Sequence, residues 1–240
     1  MNRRLYTLSN GIIIKIDTWR YTMTKTTNNK LNAIPKRSTL EEIGNAITHG
    51  IGSLLGILAL ILMLLKADNT REILSAIIYF LGIFILFTMS CLYHAFPHNS
   101  SVKRLFRRFD YSSIYLLIGA TYTPILLCYF KGTFGLVFFI IQWSIIITGI
   151  TFIAIFGPGR LKWLHFPLYF ILGWCGIIFI PSMIANDFLF FIFILGGGII
   201  YSLGIIPFVM KKKVAHFIWH FFVLFGAIVQ WIGIYITIYL

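Results

Sequence analysis

The chain has 240 residues, of which 59% are hydrophobic and only 11% charged, whereas a soluble domain carries about 25% charge. That balance excludes a water-soluble globular protein. The net charge of +13 invites a nucleic-acid reading, but its distribution along the chain argues against one.

Residues 1–40 are polar, basic and nearly free of acid, and their longest apolar run, Ile12–Ile14, is far too short for a signal-peptide core. They are expected to form a cytoplasmic tail, either mobile or lying on the membrane surface, with a small folded element as the rival reading. From residue 41 to 240 the apolar residues fall into blocks at 44–65, 73–96, 111–130, 133–156, 163–183, 188–210 and 214–238. Each is roughly 20 residues long, enough to cross about 30 Å of hydrocarbon as a helix. The predicted fold is all-α, a seven-transmembrane helical bundle.

Alternate connecting segments differ sharply in charge. Of the 20 Lys and Arg residues, 17 lie before the first block or in the segments after the second, fourth and sixth, and only Lys66, Arg71 and Lys131 lie on the other side. By the positive-inside rule the N-terminus is cytoplasmic and the C-terminus extracellular. The basic excess is therefore a matter of topology and of anionic lipid headgroups, with the bilayer as partner and no nucleic acid. The location expected is the cell membrane, as a multi-pass protein. Cys91, Cys128 and Cys175 each stand alone in an apolar block, the pattern of buried thiols rather than of disulfides or a thiolate metal site.

Topology places distant residues at one depth. The second block ends at the cytoplasmic face with "SCLYHAFP", where Ser90 and His94 are four apart and share a helix face. The third begins there with Asp110, and the seventh with "AHFIWHFFVLFG", which carries His216 and His220. At about 1.5 Å per residue those two histidines lie roughly 5–10 Å beyond the basic edge marked by Lys213. Three imidazoles suit Zn(II), whose catalytic sites commonly have three protein ligands and an open fourth position. The i, i+4 spacing of His216 and His220 is that of paired ligands on an HExxH helix, without that motif's glutamate. Asp110 is the candidate to replace it as general base toward a zinc-bound water. Ser90 is expected behind the metal or on a substrate carbonyl. His98 and His165 read as interfacial residues, and His49, on a stripe with Glu42 and Asn45, as a packing residue or a support to the ligands.

The stretches "EEIGNAITHGIGSLLG" (41–56), "SCLYHAF" (90–96), "FDYSSIYLLIGATYTPILL" (109–127), "LGW" (172–174) and "HFIWHFFVLFGAIVQ" (216–230) resemble the hemolysin III family. That family is a bacterial branch of a superfamily with the progestin and adipoQ receptors and the alkaline ceramidases. The resemblance covers residues 40 to 240 and implies seven helices, a zinc held by His94, His216 and His220, and a water between it and Asp110. The chain departs from relatives at Tyr111 and Gln230, where histidine is frequent. Gln230, about 15 Å along the helix from His220, is expected to line a cavity together with "ATYTP" (120–124), where Pro124 frees a carbonyl that Thr121 or Thr123 can satisfy.

Three functions stay open for this scaffold: an intramembrane zinc hydrolase of a lipid amide, a membrane-perturbing or pore-forming cytolysin, and a receptor-like stress sensor. Nothing in the sequence sets the substrate or the oligomeric state.

Overall fold

In the computed structural model the described residues are 33–98, 100–210 and 212–240, together with two short strands, Arg4–Thr7 and Ile13–Ile16, paired antiparallel. The expectation of a tail otherwise lies outside them up to residue 32; residues 33–38 are irregular and lead into the first helix at Thr39. Seven helices are long and apolar enough to cross a membrane: Thr39–Leu64, Thr70–Ala95, Ser101–Tyr129, Thr133–Phe156, Lys162–Asn186, Phe188–Val209 and Ala215–Tyr239. They are called the first to seventh spans.

Polar caps, which hydropathy does not see, move several span boundaries. Ser38 accepts a hydrogen bond from the Glu41 amide at 3.2 Å and starts the first span five residues before its apolar block. The third span starts at Ser101, because Ser100 accepts from the Lys103 amide at 3.0 Å. Lys103, Arg104, Arg107 and Arg108 are thus helical rather than looped, and Asp110 sits more than two turns inside its helix. The second span opens with Asn69 accepting from the Glu72 amide at 3.1 Å while Glu72 reaches back to the Asp68 amide at 2.9 Å, a reciprocal cap.

The second span packs along both the first and the third, the sixth along the seventh, and the first and seventh meet, which closes the bundle. Its polarity is inverted relative to a soluble protein. The buried face of the first span reads Asn45, Thr48, His49, Gly52, Ser53, Gly56, while Ile47, Leu54, Leu58 and Ile61 point outward. Lipid tails are as apolar as leucine, so small residues that let backbones approach take the interface. Gly82 does this between the second and third spans: a Cβ there would meet the Ala120 Cβ and the Leu116 carbonyl.

Three spans are irregular, the seventh because it ends in a π-type turn, Tyr235–Tyr239. The fifth breaks into a helix to Trp174, a 3-10 turn over Cys175–Phe179 and a helix to Asn186. Tyr122 repairs the break, donating its hydroxyl to the Gly173 carbonyl at 2.7 Å and accepting from the Gly176 amide at 2.9 Å. After Pro124 the third span ends in a π-type turn, Ile125–Tyr129. The neighbouring threonine hydroxyls bond the Leu117 and Gly119 carbonyls, not that of Ala120, which the proline frees.

Candidate metal centre

His94 sits in the last turn of the second span, and His216 and His220 in the first two turns of the seventh. Their four-residue spacing puts the last two on one stripe, and closure of the bundle turns that stripe toward His94. One ligand nitrogen from each lies within 4.8 Å of the others. The Nε2 atoms of His216 and His220 face each other at 3.3 Å. For Zn–N bonds of about 2.0–2.1 Å, a tetrahedral edge is about 3.3–3.4 Å. His94 Nε2 is buried with no hydrogen-bond partner, as is the remaining nitrogen of His220, Nδ1. An unbonded His94 Nε2 near two imidazoles whose Nε2 atoms face each other at this spacing fits a zinc ion.

The other nitrogen of His94 explains the orientation of its ring. Nδ1 is in contact with Glu42 Oε2, and Asn45 lies against the same nitrogen at 3.3 Å. A carboxylate only accepts, so it holds the proton on Nδ1 and leaves the Nε2 lone pair facing the cluster. A carboxylate behind a histidine is the usual second tier of a zinc site. Glu42 is itself held by Lys103 Nζ at 3.1 Å from Oε1. That ammonium is only 1% exposed and also reaches the Phe96 carbonyl at 3.0 Å and that of His94 at 3.4 Å.

Asp110 lies beside Ser90 and within electrostatic reach of His94. The structure thus brings together all five residues read from the sequence, with Ser90 beside the carboxylate. His49 joins them: its ring stacks on that of His220, centroids 3.7 Å apart, and neither of its nitrogens has a partner. Glu42 was legible only as part of the His49 stripe, and Lys103 only as topological charge. Their pairing with His94 spans 52 and nine residues of sequence and has no local signal.

Two other expectations concern residues outside the cluster. His165 lies in the first turn of the fifth span and is buried against protein there, its Nδ1 3.0 Å from the Tyr115 hydroxyl. Gln230 does line a cavity, with Tyr122 and Trp174, beside the broken fifth span.

The bundle and this layer define a multi-pass membrane protein with a buried three-histidine group that could hold a metal ion. Residues 37–231 match the model of the family described as Haemolysin-III related, and the chain belongs to that family. Hemolysin-3 of Bacillus cereus is 40% identical over 192 residues, 78% of this chain and 87% of that protein. The Hemolysin-3 homolog of Bacillus subtilis (strain 168) is also 40% identical over 192 residues, covering 78% of this chain and 89% of its own. Monocyte to macrophage differentiation factor of Homo sapiens is 27% identical over 210 residues, 85% of this chain and 87% of that one.

Proposed function

We propose that the protein is an intramembrane zinc-dependent hydrolase acting on the amide bond of a lipid. The observation that carries this reading is the orphaned Nε2 of His94, turned by Glu42 toward two facing imidazoles and with Asp110 close by. Zinc supplies Lewis acidity when bound, polarising an acyl carbonyl and acidifying a water. Asp110, steadied by Ser90, takes the proton that the attacking water loses and passes it to the departing amine nitrogen. Water adds across the C–N bond, giving a carboxylic acid and an amine. The helices around the layer exclude bulk water and strengthen each of these interactions. A three-histidine set leaves a coordination position for substrate, which a closed structural site lacks.

The test is metal analysis of detergent-purified wild type against His216→Ala, followed by incubation with a panel of N-acyl lipids against Asp110→Ala. Stoichiometric zinc lost in His216→Ala, with amide cleavage lost in Asp110→Ala, is the expected result; wild type without zinc overturns it. The second reading is a membrane-perturbing cytolysin of the cell membrane, favoured by the name Hemolysin-3 borne by a relative at 40% identity. Dye leakage from liposomes that persists in Asp110→Ala, without lipid turnover, would select it.

A further inference from the structure

Arg37 immediately precedes the Ser38 cap of the first span. Its segment is tied to the bundle at Ala33, whose carbonyl accepts from Arg107 Nη1 at 3.0 Å. The Arg37 side chain lies beside the Tyr93 hydroxyl. The Tyr93 ring packs on His94 at 4.6 Å and carries Lys103 Nζ 4.9 Å from its centroid. From that perch the guanidinium is within electrostatic reach of Asp110 and of His94, His216 and His220. It makes no ion pair with Asp110: the ion pair found near this layer among the described residues is Glu42 with Lys103, and the same carboxylate contacts the neutral His94. Its Nη1 is buried and has no hydrogen-bond partner.

A buried N–H of a permanent cation is an expensive group to leave unbonded. The surrounding charges do not supply an acceptor. Glu42 is taken up by Lys103 and His94, and neutral imidazoles carry no charge. Asp110 faces both Arg37 and Arg107, so a divalent ion in the histidine trio leaves an uncompensated excess of positive charge in a medium of low dielectric. A water would satisfy the hydrogen bond but not this excess; an anion satisfies both. Arg37 also stands at the basic end of the bundle, the level at which lipid headgroups lie.

We propose that Arg37 anchors the anionic head, a phosphate or a carboxylate, of the amphiphile that this site takes. The charge excess rests on the zinc reading above, whereas the orphaned Nη1 does not. The guanidinium fork binds two oxygens of the head and holds the chain of the ligand against the histidine layer. Specificity then follows head charge: amphiphiles of equal chain length bind in order of anionic character.

The experiment uses the full chain in vesicles of neutral phosphatidylcholine, zinc-loaded and chelator-stripped, titrated with dodecyl phosphate, dodecanoate, dodecanol and inorganic phosphate. Wild type is expected to bind dodecyl phosphate or dodecanoate saturably and dodecanol not at all. Arg37→Gln is expected to bind about 10-fold more weakly or worse, the loss of one charged hydrogen bond, with Arg37→Lys in between. Substitution of the exposed neighbour, Lys36→Gln, is expected to leave affinity unchanged. Equal binding by Arg37→Gln overturns the proposal, and so does an equal loss in Lys36→Gln, which would mark surface charge alone. Inorganic phosphate binding as tightly as dodecyl phosphate overturns the amphiphile. Arg37-dependent binding that survives in stripped protein supports the anchor even if no zinc binds and the hydrolase reading fails.

Discussion

Replacing Glu42 by Gln keeps the size of the side chain and removes its charge, and two groups feel the loss. His94, whose side chain is fully buried, loses the acceptor that holds its proton on Nδ1. An amide can present N–H to that nitrogen instead, which turns the lone pair away from the cluster. Removing such a carboxylate from behind a metal-binding histidine costs about 10–100-fold in affinity, or about 1.4–2.7 kcal/mol. Lys103, 3.1 Å from the other oxygen and 1% exposed, loses its counter-ion. Breaking a buried pair costs about 3–5 kcal/mol, but the ammonium keeps the carbonyls of Phe96 and His94, and Glu42 is 15% exposed. The expected loss of stability is therefore lower, about 1–3 kcal/mol. Adding Lys103→Met removes the stranded cation, so the double variant recovers stability while its zinc affinity stays weak. Chelator competition reads the affinity and thermal denaturation reads the stability. Zinc affinity of Glu42→Gln within twofold of wild type would refute this account, as would its full recovery in the double variant.

Asp110→Asn should keep zinc at wild-type stoichiometry yet lower amide hydrolysis by about 10²–10⁴, the worth of a positioned base; parallel metal analysis and turnover assays check this. Gly82→Leu should separate the second and third spans, since a Cβ there already meets the Ala120 Cβ and the Leu116 carbonyl. The expected cost is about 1–3 kcal/mol or more, read as a lowered unfolding midpoint in detergent. Val214, just before the histidine-bearing seventh span, has a left-handed backbone at φ 59°, which a β-branched residue adopts only under strain. Val214→Gly should raise stability by about 1 kcal/mol, seen as a higher midpoint with unchanged zinc content.

The amino-acid sequence by itself determined the solvent, the number of spans and the common level of the three histidines. Apolar length is a one-dimensional property and can be counted, and the charge of the connecting segments ranks each end by side. The spacing of His216 and His220, and of Ser90 and His94, set each pair on one helix face whatever the neighbours do. Helix starts were less legible, because Ser38 and Ser100 act through single hydrogen bonds that hydropathy averages away.

Only the tertiary structure decided how each span is rotated about its own axis, and with it which nitrogen of His94 faces inward. The partners of that imidazole come from a span that begins more than 50 residues earlier, and Lys103 and Arg37 reach the same layer from two further segments. No periodicity records such meetings. They arise when small residues such as Gly52 and Gly82 let the backbones close, leaving the few polar side chains of the interior to satisfy one another in a medium that offers them no water.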